Sequence, residues 1–215
     1  VLVATPRLGR ELAAHGLHST RIWSRGVDCA QFDAQLTPLP QLADLPRPVA
    51  LSVGRVAVEK NLEAFLDADF AGSKVVVGDG PALASLRARY PSVIFTGALH
   101  GRDLARAYAG ADVFAFPSRT DTFGLVMIEA LASGTPIAGY PVAGPLDIIG
   151  ADGCGVVPGF GARIGAIDED MANALQLALT ARPDDCVAYA RQFSWEACLD
   201  QFLSALQPPA FAQVA

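Results

Sequence analysis

The chain has 215 residues, 52% hydrophobic and 18% charged, with 16 Lys and Arg against 22 Asp and Glu for a formal charge of −6. That length predicts one domain or one and a fraction, able to bury about 70% of its unfolded surface, and the composition excludes disorder over most of it. An acidic chain without a Lys/Arg run is a poor nucleic-acid binder, because such binding draws on phosphate neutralisation.

In chain order, PRLGRELAAHG (6–16) predicts a helix stopped at Gly16, and TRIWS (20–24) a short strand before a turn at Arg25–Asp28. One helix and one strand cannot make a domain, so residues 1–25 are expected to be a remnant of, or an attachment to, something else. Pro38, Pro40, Pro46 and Pro48, with no clear period around them, predict a linker. From residue 49 the pattern alternates. VALSV (49–53), KVVVG (74–78), VIFTG (93–97), DVFAFP (112–117), TPIAGY (135–140) and CGVV (154–157) read as strands. They are continuously apolar, as parallel strands covered on both faces should be. NLEAFLDADF (61–70), PALASLRARY (81–90), GRDLARAYAGA (101–111) and LVMIEALAS (125–133) read as the helices between them. Residues 168–206 read as helices only, the last N-capped by Ser194, and 208–215 as a tail. The expected fold class is α/β: a doubly wound parallel sheet with C-terminal helices, over 26–207.

Cys29, Cys154, Cys186 and Cys198 form no CxxC pair, and His15, His18 and His100 have no metal spacing. Isolated buried cysteines in a reducing cytosol are the expectation. The longest charge-free region, Ala130 to Leu146, contains Pro136, Pro141 and Pro145 and cannot be a spanning helix. The opening VLVATPRLGRELAAHG has no signal-peptide pattern, so a soluble cytoplasmic protein is expected.

Ligands of an open parallel sheet bind at the carboxyl ends of its strands, and three loops there carry candidates. The first, Gly54-Arg55-Val56-Ala57-Val58-Glu59-Lys60-Asn61, offers a turn at Gly54 and two cations suited to phosphate, Arg55 and Lys60. The bland reading is an Arg and a Lys paired with Glu59 or Glu63 at the surface. The second, Gly78-Asp79-Gly80-Pro81, suggests a dinucleotide fingerprint. The third glycine would fall at Leu83, and no acidic residue ends the next strand, so that reading fails. The third loop brackets the start of an apolar helix at Gly124 with Asp121 and Glu129. Helix-start amides favour an anion. Glu129, set among LVMI and ALA, either meets a hydroxyl partner such as a ribose or is a costly buried charge; an outward-facing Glu on a core helix is the alternative.

SVGRVAVEKN, VVVGDGP, VIFTGAL, DVFAFPSRTDTFGLVMIEALASGTPIAGYPVAGP and RGVDCAQF together resemble the nucleotide-sugar-binding, C-terminal half of family four retaining glycosyltransferases, which have the GT-B fold. The resemblance runs in order over about 25–150. That family has a Glu-x7-Glu motif in the third loop; here Asp121 stands in the first place and Glu129 in the second.

By that resemblance, Arg55 and Lys60 bind the donor pyrophosphate and stabilise the departing nucleoside diphosphate. Phe123, Gly124, Leu125 and Val126 present backbone amides to the distal phosphate and the sugar. Asp121 contacts sugar hydroxyls, Glu129 holds the ribose diol, and Gly97 and Leu99 lie against the base. The nucleotide sugar is then a substrate, with no cofactor or metal, and charge stabilisation falls to cations and helix dipoles. Residues 1–25 fit the end of an N-terminal acceptor domain. Peripheral membrane contact, at the inner face, is implied only through that missing half, and the acidic charge lends it no support. The acceptor, lipid or saccharide, is not specified. The 215 residues alone are expected to bind donor weakly and transfer little or no sugar. The rival is a non-catalytic nucleotide- or partner-binding module on the same fold.

Overall fold

The structure, a computed structural model, describes residues 1–206; the expected tail at 208–215 lies outside them. The first elements are strand β1 (Leu2–Val3), helix α1 (Pro6–Ala14) and strand β2 (Arg21–Ile22). Thr5 starts α1 by accepting from the Leu8 amide at 3.2 Å, with Pro6 placed where its missing N–H is harmless. β1, absent from the sequence reading, pairs in parallel with β2 and lies apart from the main sheet. This unit is tied down by an Arg7–Asp147 ion pair (3.1 Å) and by Trp23 against Phe202 (centroids 5.0 Å apart).

The segment expected as a linker instead folds a short helix, α2 (Pro40–Ala43), and buries Leu39 and Leu42 in the core. Two well-spaced leucines outweigh the prolines, because Pro40 sits at the helix start where it is tolerated. The main body continues with β3 (Val49–Val53), α3 (Leu62–Asp67), β4 (Ser73–Val77), α4 (Leu83–Arg89), β5 (Ile94–Gly97), α5 (Gly101–Ala109), β6 (Val113–Phe116), α6 (Leu125–Ala132), β7 (Ile137–Gly139), α7 (Ala143–Ile148) and β8 (Gly165–Ile167). It ends with α8 (Met171–Ala178), α9 (Pro183–Ala190) and α10 (Trp195–Leu206). Ser194 caps α10 as expected, its hydroxyl accepting from the Ala197 amide at 3.1 Å.

All strand pairs in the six-stranded sheet are parallel, in the order β5-β4-β3-β6-β7-β8. The expected doubly wound α/β architecture is therefore present. One face packs Leu51, Phe114 and Ile137 against Tyr108 of α5, Met127, Ile128 and Leu131 of α6, and Tyr189 of α9. The other packs Ala50, Val76 and Phe95 against Phe65 of α3, Leu86 of α4 and Leu175 of α8. The sequence of strands reverses direction between β3 and β6, and the crevice opened there is where such sheets hold ligands.

One expected strand is wrong. CGVV (154–157) is an irregular loop, and the sixth strand is β8, whose Gly165 pairs with Ile137. Val156 and Val157 are 42% and 41% exposed, and the Val156 amide donates to the Tyr189 hydroxyl at 2.8 Å. Valine content signalled a strand, but the buried slot beside β7 went to the smaller Gly165-Ala166-Ile167. Helix α7 was not anticipated: Pro145 hid it, although that proline falls within its first turn.

Candidate active site

The β3-to-α3 connection carries the two candidate cations. Gly78, at the end of β4, explains how it is held. A Cβ at Gly78 would lie 1.8 Å from the Gly54 carbonyl oxygen, and φ there is +145°. Hydrogen bonds from Gly54 N to the Val77 carbonyl (3.0 Å) and from Val56 N to the Asp79 carbonyl (2.9 Å) continue the strand pairing past its end. The glycines of GDGP thus brace the phosphate-loop candidate instead of binding a dinucleotide. A 3₁₀ turn, Val58–Lys60, follows, and Asn61 in the left-handed region (φ 52°) ends it. The Asn61 side-chain amide donates to the Pro117 carbonyl at 3.0 Å, fastening the Lys60 turn to the end of β6. Asn61 was missed in the sequence, where its only signal is the tolerance of Asn for that conformation.

Two structures meet at β6's end. The Lys60 ammonium donates to both oxygens of Asp121, at 2.7 and 2.8 Å, with the side chains 30% and 26% exposed. Arg55 lies looser, 66% exposed and 3.4 Å from Glu59. Arg119 secures the loop that carries Asp121. Its guanidinium stacks on Tyr140, 3.7 Å from the ring centroid, and both terminal nitrogens donate to Glu169 Oε2 at 3.1 Å. No sequence spacing could have joined positions 119, 140 and 169.

Phe123 is buried against Phe193, so only its backbone is available to a ligand. Gly124 opens α6 at φ 81°, close enough to Phe116 that a Cβ would sit 2.9 Å from its ring. Among the described residues, the amides of Phe123, Gly124, Leu125 and Val126 donate to no protein acceptor, and no side chain caps the helix. That leaves a cluster of N–H groups at a positive helix end.

Arg55, Lys60, Asp121, Gly124, Leu125 and Val126 line one cleft of ≈ 470 Å³. Gly54 and Ser52 line it too, with Leu62 and Phe116 on its apolar wall. A second hollow of ≈ 270 Å³ shares Gly54 and Arg55 and reaches Leu99 and His100. Gly97 stands above open space, with nothing within 4 Å of where its Cβ would be.

Glu129 does not line the 470 Å³ cleft. It sits one turn further along α6, on the strip that begins with Leu125 and Val126; the rest of the helix from Met127 onward is buried. Its Oε2 accepts from the Tyr108 hydroxyl at 2.9 Å. Burial pushes its carboxyl above the ordinary value of 4.5, and the Tyr108 hydrogen bond pulls partly back. Tyr108, fully buried, was missed because an aromatic on the apolar face of an amphipathic helix reads as core. Among the described residues no cluster of three or more His, Cys, Asp or Glu is placed to hold a metal.

The family model of glycosyl transferases group 1 matches residues 47–180. The GDP-mannose-dependent alpha-mannosyltransferase of Mycobacterium tuberculosis is 33% identical over 89% of this chain and 52% of its own length. The sulfoquinovosyl transferase SQD2 of Arabidopsis thaliana is 34% identical over 70% of this chain and 32% of its own. This chain therefore spans between a third and a half of such relatives. The sucrose-phosphate synthase of Thermosynechococcus elongatus superposes with a TM-score of 0.73 at 26% identity, covering 95% of this chain and 56% of that one. The Anabaena HepE structure with UDP also gives 0.73, over 96% and 63% of the two chains, and at 17% identity shares the fold alone. The expected GT-B resemblance holds in sequence and in architecture, and the chain belongs to the glycosyl transferases group 1 family.

Proposed function

We propose that this chain is the donor-binding half of a retaining glycosyltransferase that moves a sugar from a nucleoside diphosphate to an acceptor. The observation carrying this reading is the convergence of Arg55, Lys60 and the unbonded amides of Gly124–Val126 on one cleft at the sheet's switch point. When the anomeric C–O bond breaks, the electron pair leaves with the diphosphate. A helix start and two cations on a loop braced by Gly78 and Asn61 meet that charge, with Lys60 turning from Asp121 to the phosphate. Each charge-assisted contact contributes about 1.5–3 kcal/mol. Asp121 is assigned to sugar hydroxyls, Glu129 to the ribose diol, and Gly97 and Leu99 to the base. The second hollow supports the last assignment, since it adjoins Arg55 and is lined by Leu99.

The relatives' remaining length is assigned to acceptor recognition, with residues 1–25 belonging to that side. Membrane contact and a cytoplasmic location, at the inner face, go with it. Calorimetric titration with UDP, GDP and ADP tests the donor reading. One of them should bind saturably to the wild-type chain, and Arg55→Ala with Lys60→Ala should abolish that binding. Equal binding by the double variant sinks the assignment. Sugar transfer by the 215-residue chain alone would contradict the division of labour.

A further inference from the structure

Tyr108 is wholly buried on α5, its ring packed edge-on to Phe32 (centroids 5.8 Å apart, 73°) and tilted against Phe114 (5.7 Å, 57°). Its backbone carbonyl accepts from the Thr135 hydroxyl at 2.9 Å, so the residue is held from both ends. A Phe would fill this space equally well. The hydroxyl's partner is Glu129 Oε2, on the neighbouring helix. Among the described residues nothing donates to the other oxygen, Oε1, and Glu129 remains partly exposed.

A buried phenol tied to a half-buried carboxylate is a poor packing device. Replacing both partners by apolar groups of the same shape is close to neutral, whereas removing one strands the other. The pair therefore does something packing does not require. It fixes a side chain: one oxygen is anchored to a rigid aromatic, and the other, which is not buried, has no protein partner among the described residues, one turn beyond the cleft-lining Leu125 and Val126. We propose that Tyr108 is a positioning residue that presents the Glu129 carboxylate to the two ribose hydroxyls of the bound nucleotide. This inference rests on the donor-site reading above. It adds that recognition of the ribose is shared between α5 and α6, with Tyr108 acting only through Glu129.

The test compares the tightest binder among UDP, GDP and ADP with its 2′,3′-dideoxy counterpart, by calorimetry on the full 215-residue chain. Tyr108→Phe keeps the ring and removes only the hydroxyl. It should lower the preference for ribose over dideoxyribose by about 3- to 10-fold, the scale of one weakened hydrogen bond. Dideoxy affinity should change by less than about twofold. Glu129→Ala should erase the preference, and Tyr108→Phe added to it should change nothing further. Equal losses for both nucleotides in Tyr108→Phe, or an unaltered preference, overturn the positioning role. A preference untouched in Glu129→Ala, or no binding by the wild type, overturns the donor-site reading and takes this inference with it.

Discussion

Asp121→Asn is expected to tighten the binding of a bare nucleoside diphosphate. The Lys60 ammonium is chelated by both Asp121 oxygens, at 2.7 and 2.8 Å. An incoming phosphate must compete with that carboxylate for the cation and tolerate its charge nearby. Unit charges about 4 Å apart attract by about 4 kcal/mol at an effective dielectric of 20. The pair is 30% and 26% exposed, so solvent screens it well below that figure. About 1–2 kcal/mol remains, equivalent to about 5- to 30-fold in affinity. Isothermal titration with the bare diphosphate, in low and high salt, measures it. The gain should shrink as salt screens the competing charge. With the sugar-bearing donor the gain should be smaller, because Asp121 is also assigned to sugar hydroxyls. Unchanged or weaker affinity of Asp121→Asn for the bare diphosphate refutes the competition.

Glu129 gives a pH dependence with two opposed signs. Burial raises its carboxyl above 4.5, so the folded protein holds this proton more tightly than the unfolded chain does. Its contribution to stability is full below the unfolded value and is lost as pH rises through the raised native one. With Glu129 on the ribose as proposed, nucleotide affinity should fall as pH drops through the same window. Glu129→Gln should lose that pH dependence, and protonation of the terminal phosphate, common to both proteins, cancels in their ratio. Gly78→Ala should destabilise the fold by about 3–4 kcal/mol, seen in thermal unfolding, because its Cβ would lie 1.8 Å from the Gly54 oxygen. A melting point within a degree or two of wild type contradicts the bracing role. Treatment with EDTA should leave donor binding intact; strict dependence on added magnesium would count against charge neutralisation by Arg55, Lys60 and the α6 amides.

Much of this was legible in the chain itself. Continuous apolar runs marked β3 through β7, because strands covered on both faces cannot alternate. The loops after β3 and β6 were found for the same reason: the topology sends their residues to one edge. What escaped notice depended on contacts between distant positions. Val156 and Val157 suit a strand, but which segment occupies the slot beside β7 is decided by space. Leu39 and Leu42 looked like linker residues because their burial depends on helices yet to come. Around the site, the supporting residues were the hidden ones. Asn61 fastens to Pro117, Arg119 to Tyr140 and Glu169, and Tyr108 to Glu129, and none of these pairs has a periodic signature. The candidate ligand contacts advertise their chemistry, whereas the residues that hold them in place resemble ordinary core or surface.

A crystal structure of the chain with its preferred nucleoside diphosphate tests the central claim most directly. The distal phosphate should lie against the amides of Phe123–Val126, within reach of Arg55 and Lys60, with the ribose hydroxyls on Glu129. A nucleotide seated elsewhere, or one whose diphosphate touches neither cation, would contradict it.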